Sequence, residues 1–355
     1  MVMEFGLSEE QTLLQDSVNR FLGDQVPLDR VRKFVANGGG EDIWQGLIEL
    51  GIPGLIIPES CGGVGLGCLD AAIVSECLGY HVTPAPFLGS VVMAPIALLE
   101  SGKQEDLLRG IAAGDSTVGV AFGEAVGARA DAGSEWDGAK LNGKALFVID
   151  YLADYVLVAT SDKKILLVSS DAKGLGKRAL TTVERTRHTG ELVFEDTPAE
   201  LISEDPSVYL KVLDAGRVML AADTLGAAQN MLDQSVAYAK VREQFNRPIG
   251  SFQAVKHMCA QMVADLEPCR AMIWYAGHAL DHIPDEARLT ACHTKAHLSE
   301  VGRSVSKTAT EVHGGMGFTD LLGLHYWFKR IGFNRQMLGA PEMVREEAAQ
   351  VQDLC

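Results

Sequence analysis

The spacing of apolar residues divides the chain into three regions. In residues 1–117 the apolar positions recur at helical spacing, and Ser8 with Gln11 forms a capping-box pattern that predicts a helix start. The Gly- and Pro-rich stretch 51–67 predicts a loop within this region. The remaining helical stretches predicted here are 42–52, 69–81, 94–102 and 103–114.

The middle of the chain has a different pattern. Residues 118–203 contain short runs rich in Val, Leu and Ile, separated by Gly, Asp and Asn turns, which predicts an all-β region. The predicted strands lie within 116–125, 144–151, 154–161, 163–171 and 190–197.

Helical periodicity returns from about residue 204. The order of helices, then strands, then helices predicts an α+β fold and argues against a doubly wound α/β sheet. The predicted domains are therefore an N-terminal α-helical domain (1–117), a middle β domain (118–203) and a C-terminal helical domain (204–355). Within the last domain the predicted helices are 205–240, 251–281, 286–313 and 339–352.

Composition narrows the function classes. The formal net charge of the 355-residue chain is -16, which argues against a nucleic-acid-binding protein because a phosphate backbone requires a basic face. The first residues lack the pattern of a signal peptide, and no apolar run is long enough to predict a membrane span. The 7 cysteines are scattered without a CxxC pair, which predicts reduced thiols and a cytoplasmic location.

Two motifs have the chemistry of an anion site. In "VREQFNRPIGSFQAVKH" (241–257) an Asn-Arg-Pro-Ile-Gly break interrupts a predicted helix, and Arg242 there can offer a charge-assisted fork to a phosphate. In "VHGGMGFT" (312–319) the glycines permit close approach of backbone N–H groups to anionic oxygens. The alternative interpretation of the first motif is a turn in a helix bundle that carries a solvated arginine.

Together with two N-terminal stretches, these motifs resemble the acyl-CoA dehydrogenases over essentially the whole chain. The N-terminal stretches are "FGLSEEQTLLQDSVNRFL" and "GIPGLIIPESCGGVGLG". The resemblance implies an N-terminal helical domain, a middle β-barrel or sandwich domain and a C-terminal four-helix bundle. It also implies FAD as cofactor, α,β-dehydrogenation of an acyl-CoA thioester, and an electron-transfer flavoprotein as acceptor.

The same resemblance implies which residues contact FAD. In this family the Arg-x-x-Phe stretch, here Arg242 to Phe245, and the Gly-Gly-x-Gly loop contact the pyrophosphate and adenine half of FAD. Asn246 replaces the family's glycine, and Glu311 stands where a Gln often binds the cofactor. The predicted cofactor-binding residues are Arg242, Phe245, Gln253, His313, Gly314, Gly315 and Gly317.

The catalytic base of the family is missing from both of its known positions. The resemblance places Leu338 at one position, in "RQMLGAPEMVRE", and Gly216 at the other, in "DAGRVMLAADTLG". Neither side chain can accept the α proton of an acyl thioester, so no catalytic residue is predicted. Glu342 and Asp214 are the nearest acids, and each is more simply explained as an acid near a helix start.

The family's flavin cradle is altered as well. Gly123-Glu124-Ala125 stands in place of Thr-Glu-Pro. In "KALFVID" the resemblance places Leu146 where a Trp covers the flavin and Val148 where a hydroxyl bonds it. Because Val148 has no polar side-chain atom, only a backbone amide remains to replace that hydroxyl.

The chain thus retains the residues that one subunit lends to its neighbour's FAD and lacks those that hold its own. This pattern resembles the short subunit of the α2β2 acyl-CoA dehydrogenases that degrade steroid side chains, a dimer of dimers in which related chains share each site. Two alternatives stay open at this point: a homomeric FAD dehydrogenase with an unconventional base, and a non-catalytic structural subunit.

Two further features predict no site. His293 and His297 have the i, i+4 spacing of metal ligands, but no third ligand is evident and no metal is predicted. "HYWFKR" (325–330) is aromatic and basic, and we expect it to pack in the bundle or at a subunit interface rather than on nucleic acid.

Overall fold

The first helical region begins at the predicted capping box. Ser8 Oγ accepts a hydrogen bond from the Gln11 amide at 3.1 Å, and the Gln11 side chain accepts one from the Ser8 amide at 3.0 Å. The computed structural model describes residues 6–127 and 132–354. Its N-terminal helices are α1 (Glu9–Gln25), α2 (Leu28–Asn37), α3 (Glu41–Glu49), α4 (Cys68–Tyr80), α5 (Ala94–Ser101) and α6 (Glu105–Ala113).

The middle region forms one mixed sheet of eight strands. The strands are β1 (Val118–Ala121), β2 (Gly133–Trp136), β3 (Lys140–Ile149), β4 (Tyr155–Ala159), β5 (Ile165–Ser169), β6 (Leu175–Ala179), β7 (Thr189–Pro198) and β8 (Glu200–Ser203). A short helix α7 (Gly123–Val126) follows β1. The strand order is β6-β7-β3-β1-β4-β5-β8, with β2 paired to β3, and the pair β1–β4 is parallel.

The two faces of this sheet have different apolar neighbours. Val120 and Leu157 belong to the large core shared with the helices, whereas Val156 and Leu166 belong to a separate cluster within the β region. Successive side chains of β4 point to opposite faces of the sheet, and both faces are covered by apolar residues. This explains why nearly every residue of β4 is buried. The sheet packs on the helical core with one face and has a core of its own on the other.

The C-terminal helices are close to their predicted limits. They are α8 (Pro206–Val241), α9 (Gln253–His282), α10 (Pro284–His313), α11 (Leu324–Gln336) and α12 (Pro341–Val351). Four of them start and end within two residues of the predictions, whereas α11 was not predicted as a helix. A two-stranded hairpin, β9 (Glu243–Gln244) with β10 (Arg247–Pro248), separates α8 from α9. The domain limits 1–117, 118–203 and 204–355 remain a prediction.

A buried ionic cluster joins all three regions. Arg330 of α11 makes a two-pronged contact with Asp223 of α8, at 3.0 and 2.7 Å. It also donates to the carbonyl of Thr83 and the hydroxyl of Thr186, at 3.1 and 3.0 Å. Arg187 adds an ion pair to Asp223 at 3.0 Å. Because charges this deep are costly unless paired, the cluster fixes how helices and sheet meet.

Candidate functional site

Arg242 lies directly after helix α8, at the start of a tight hairpin. Helix α8 stops at Val241, and the turn residues Phe245 and Asn246 both have positive φ, 55° and 60°. This is the backbone of a type I′ turn, in which Asn is favoured because it tolerates the left-handed region. The Ile249 amide donates to the Arg242 carbonyl at 2.7 Å and closes the hairpin.

The tip of this hairpin is apolar and exposed. Phe245 has 87% of its surface exposed, and its ring meets Phe252 edge-on at 6.2 Å. The Arg247 guanidinium lies 4.0 Å from the centre of the Phe252 ring, whereas Arg242 is exposed. Gln253 is exposed at the first position of α9. The exposure of the Phe245 ring leaves it available to a ligand or a partner chain.

The glycine loop after α10 has open space above it. A Cβ atom added at Gly314 or Gly315 would meet nothing within 4 Å. At Gly317 the same atom would lie 2.8 Å from the Thr310 carbonyl oxygen, so glycine is required there for packing within the chain. Gly314 and Gly315 therefore leave their backbone accessible to a ligand, whereas Gly317 serves the loop itself.

His313 brings the hairpin and the glycine loop to the same end of the bundle. Its ring stacks on Tyr238 of α8 at 4.7 Å, one turn before Arg242, and its Nδ1 donates to the Ala309 carbonyl at 2.7 Å. Burial lowers the pKa of His313, so the ring is neutral near pH 7. The imidazole is engaged within this chain, and its predicted contact with a phosphate remains a prediction.

A second concave region lies between the sheet and the C-terminal helices. This cleft has a volume of about 790 Å³ and a mostly apolar lining. Gly123 and Phe147 line it from the β region, and Phe333, Leu338 and Met343 line it from the helical side. We call it the apolar cleft.

The two positions that lack a base lie next to each other, and Leu338 of this pair lines the cleft. A Cβ added at Gly216 would lie 2.7 Å from Leu338 Cδ1 and 2.8 Å from the Met93 sulfur. Leu338 is 1% exposed and has a φ of 56°, an unusual backbone for an apolar residue. The Arg217 Nε donates to the Leu338 carbonyl at 2.7 Å and holds the loop in place. An apolar contact thus occupies the two positions at which the family resemblance places the catalytic base.

The acids nearest to this point are engaged by arginines. Glu347 accepts two hydrogen bonds from Arg217, at 2.6 and 3.0 Å, and Arg288 contacts both Glu347 and Asp214. Burial raises the pKa of Asp214 to about 7, although Arg288 and Arg217 oppose the rise. Glu342 is exposed, and its pKa is lowered by its own backbone amide and by Arg335. Of the two acids considered from sequence, only Asp214 is buried near the cleft.

Lys295 is a residue of this site that the sequence analysis missed. It is 1% exposed, and its ammonium donates to the carbonyls of Asn334, Arg335 and Gly339 at 2.8, 3.1 and 3.2 Å. Burial lowers the pKa of Lys295 to about 7. The lysine ties the end of α11 to the loop that carries Leu338. Its position on the buried stripe of α10 was the available signal.

The altered flavin cradle has an unexpected geometry. The strand pairing of β3 slips between Ala145 and Val148, and Phe147 within this bulge has a φ of 54°. Val148 is fully buried in the core of the β region, whereas Phe147 lines the apolar cleft. The Leu146 amide donates to Glu124 at 3.3 Å. The aromatic ring that β3 places at the cleft is therefore that of Phe147, one residue beyond the position expected from the resemblance.

Comparisons with known proteins agree with this architecture. Residues 8–115 match the family model "Acyl-CoA dehydrogenase, N-terminal domain", and residues 207–352 match "Acyl-CoA dehydrogenase, C-terminal domain". The acyl-CoA dehydrogenase IpdE2 of Mycobacterium tuberculosis is 31% identical over 344 residues, which cover 95% of each chain. The chain belongs to the acyl-CoA dehydrogenase family. Members are FAD-dependent oxidoreductases that act on acyl-CoA thioesters, so the predictions of fold, enzyme class and FAD are confirmed at this level.

Solved structures of the family include heteromeric complexes. The Tcur3481-Tcur3483 steroid acyl-CoA dehydrogenase, solved as a G363A variant, has a TM-score of 0.89 and 30% identity, covering 97% of this chain and 98% of that one. The ChsE4-ChsE5 complex of Mycobacterium tuberculosis has a TM-score of 0.89 and 26% identity, covering 99% of both chains.

The residues present fit part of an FAD site. Around the hairpin, Arg242 is exposed and the backbone at Gly314 and Gly315 is open, which suits the phosphate and adenine half of the cofactor. The apolar cleft fits less well, because Val148 belongs to the core of the β region and the cleft side at Leu338 carries no polar side chain. The assignment of Arg242, Phe245, Gln253, His313 and the three glycines to FAD remains a prediction.

The remaining sequence features predict no further site of this kind. His293 and His297 are both exposed on α10, and residues 6–127 and 132–354 contain no group of three acids, histidines or cysteines placed to hold a metal. The cysteines between positions 61 and 292 are free thiols, and of these only Cys259 is not fully buried. No helix within the described ranges has the length and apolarity to cross a membrane.

Proposed function

We propose that this chain is the subunit of a heteromeric acyl-CoA dehydrogenase that completes the FAD site of a related partner. The partner supplies the flavin cradle and the glutamate that takes the α proton of the acyl-CoA. The observation that carries the proposal is the contrast between an exposed Phe245 hairpin and a cleft in which Leu338 packs against Gly216.

The hairpin and glycine loop support the role of a donor to another subunit's site. They lie together at one end of the bundle through the contact of His313 with Tyr238. Within residues 6–127 and 132–354, the Phe245 ring stays 87% exposed and meets Phe252 edge-on. A partner's FAD, laid across this end, would bring its pyrophosphate to the exposed Arg242.

The cofactor, when bound, accepts the β hydrogen of the acyl group as a hydride. The contribution of this chain is positional: Arg242 holds charge at the phosphates, and the open backbone at Gly314 and Gly315 admits the cofactor closely. Phe245 adds an apolar cover that excludes water from the adenine half. None of these groups takes a proton from the substrate, which leaves that step to the partner.

The substrate class follows from likeness to complexes of the same kind. The Tcur3481-Tcur3483 protein is described as a steroid acyl-CoA dehydrogenase, and it resembles this chain over nearly its whole length. We therefore propose an acyl-CoA thioester with a bulky, steroid-derived acyl group. An electron-transfer flavoprotein is the proposed acceptor of the electrons.

One observation favours a second candidate, a homomeric dehydrogenase with an unconventional base. Asp214 lies near Gly216 and is buried, and its pKa is raised to about 7, which suits proton abstraction at neutral pH. Against it, Arg288 contacts the Asp214 carboxylate directly. A homomer that turns over acyl-CoA, and loses that turnover on Asp214→Asn, would replace the first proposal by this one.

The test is steady-state turnover of a complex co-purified with a longer member of the family. Arg242→Ala should lower its kcat/KM by about 100-fold or more, since a phosphate loses a charge-assisted contact. Arg303→Ala, which removes an exposed arginine of helix α10, is the matched control and should leave turnover unchanged.

The same experiment separates the proposal from a merely structural subunit. A scaffold tolerates Arg242→Ala, and both variants would then turn over acyl-CoA at the rate of the unmodified complex. Exchange of the partner's glutamate for Gln should abolish turnover while FAD stays bound.

A further inference from the structure

Helix α11 presents one face to the apolar cleft, and the centre of that face is a glycine. The residues of this helix that line the cleft are Phe328, Lys329, Gly332, Phe333 and Gln336. Residues three and four positions apart lie on the same side of a helix, so these five form a single face around Gly332.

No contact within the chain explains a glycine at position 332. A glycine inside a helix lowers its stability relative to alanine, so it usually serves a close approach. At Gly302 of α10 it does, since an added Cβ atom would lie 2.5 Å from Thr224 Cγ2. At Gly332 the same atom would meet no described atom within 4 Å. The glycine therefore adds room to the cleft instead of permitting a packing contact.

The size and lining of the cleft suit a small organic ligand. Its volume of about 790 Å³ lies in the range of about 300–1,000 Å³ that is common for such sites. Phe147 lines it from the β region and Phe333 from the helical side, so an aromatic ring is available on each side of a flat ligand. Met337 and Met343 add unbranched side chains that adapt to the shape of a ligand.

A flavin is a poor occupant of this space. The polar edge of its ring system would cost free energy if it were buried without hydrogen-bond partners. The position at which the resemblance places a hydroxyl holds Val148, which belongs to the core of the β region, and Leu338 is apolar as well. The cleft thus has the size of a ligand site but a lining that favours an apolar molecule.

Two charged residues line the cleft, and one of them is available to a ligand. Glu184 is buried, accepts from the Thr186 amide at 2.6 Å, and is attracted by Arg187 and Arg330. Lys329 is half-buried, and no carboxylate within residues 6–127 and 132–354 forms an ion pair with it. Its ammonium can therefore offer a charge-assisted hydrogen bond to an acidic group of the ligand.

We propose that the apolar cleft binds a flat, fused-ring apolar molecule that carries one carboxylate. The rings would lie beside Gly332 with Phe147 and Phe333 on either side, and the carboxylate would meet the Lys329 ammonium. This proposal does not depend on the function proposed above, because the hairpin and the glycine loop take no part in it. A chain that failed to complete a partner's FAD site would still bind such an acid.

The test is a fluorescence titration of the full chain with pyrenebutyrate, a fused-ring carboxylate whose emission changes in an apolar environment. We expect saturable binding of one molecule per chain. Gly332→Phe should weaken it by about 20-fold or more, because the new ring occupies the centre of the site, whereas Gly332→Ala should change it by less than about threefold. Both substitutions favour the helix, so neither should lower the thermal midpoint of unfolding.

A second pair of variants tests the carboxylate contact. Lys329→Met should weaken pyrenebutyrate by about fivefold or more and leave the binding of neutral pyrenebutanol unchanged. Lys256→Met, on an exposed lysine of α9, is the matched control and should change neither. The absence of saturable binding, or full affinity in Gly332→Phe, would overturn the site. Full affinity for pyrenebutyrate in Lys329→Met, or an equal loss in Lys256→Met, would overturn the assignment of the acidic group.

Discussion

The exposed end of the bundle and the apolar cleft use their arginines in opposite ways. At the bundle end, Arg242 is exposed beside a phenylalanine that is 87% exposed. At the cleft, Arg217 is fully buried, and it is bonded to Glu347 and to the Leu338 carbonyl. The first region is arranged to be completed by another molecule. The second is completed by the chain itself.

This difference separates contributions to stability from contributions to binding. A buried ion pair that loses one member leaves the other charge stranded in the interior, which costs several kcal/mol. An exposed arginine or phenylalanine costs the isolated chain little when it is removed. Variants at the cleft should therefore lower the stability of the isolated chain, whereas variants at the exposed end of the bundle should weaken binding in the complex.

The largest expected effect is that of Arg217→Met. It removes the fully buried partner of Glu347 and Asp214, leaves them to Arg288 alone, and removes the donor to the Leu338 carbonyl. We expect a loss of about 3–5 kcal/mol in the free energy of unfolding, measured by urea denaturation. Arg303→Met, on an exposed arginine, is the control and should change it by less than about 0.5 kcal/mol.

Restoring the acid at the cleft should not restore the enzyme. Leu338→Glu buries a carboxylate at a position that is 1% exposed, and we expect it to cost at least about 2 kcal/mol in stability. The homomer should still not oxidise acyl-CoA, because Val148 and Phe147 leave the flavin cradle altered. Turnover by this single variant would contradict the proposal that this chain lacks a working flavin cradle as well as a catalytic base.

The pH dependence of stability should reveal the buried acid beside the cleft. The pKa of Asp214 rises from 3.8 to about 7 on folding, so the folded state holds a proton that the unfolded state has lost. The stability of the unmodified chain relative to Asp214→Asn should therefore be highest below pH 4 and fall as the pH rises to about 7. A difference that is constant across this range, in urea titrations, would show that Asp214 is already ionised.

Phe245→Ala should have a small effect on the chain and a larger one on the complex. The ring is 87% exposed, so the free energy of unfolding should change by less than about 0.5 kcal/mol. In a co-purified heteromer we expect about tenfold weaker FAD binding, measured by flavin release on dilution. An unchanged flavin affinity would mean that the hairpin tip does not reach the cofactor.

The smallest effect is expected for Asn246→Gly, which introduces the family's glycine at the turn. Asn246 already adopts a φ of 60°, a conformation that asparagine tolerates. The thermal midpoint should therefore stay within about 2 °C of the unmodified chain, in calorimetry. A larger increase would show that the hairpin is strained by the asparagine.

Much of the fold could be predicted because its long helices have strong periodicity. The capping box at Ser8 and the limits of α8, α9, α10 and α12 follow from local sequence. Helix α11 did not, because its buried positions include the charged Arg330, which is stable there only through Asp223 of another helix. Strands β2, β6 and β8 were also missed. β6, for example, is mostly exposed, so its pattern lacks an apolar stripe.

The candidate site was only partly predictable for a related reason. The sequence motifs alone show that Leu338 and Gly216 stand where an acid is expected, but the contact between these positions depends on tertiary packing. The role of Lys295 and the β-bulge that brings Phe147 to the cleft likewise depend on partners far away in the chain. Local patterns do not encode such contacts.

The central claim is that this chain completes an FAD site and does not hold one alone. Its most direct test is the visible spectrum and the flavin-to-chain ratio, measured for the chain purified alone with excess FAD and after co-expression with a longer family member. We expect no bound flavin for the chain alone, and about one flavin for every two chains in the complex. A ratio near one flavin per chain in the isolated protein would contradict it.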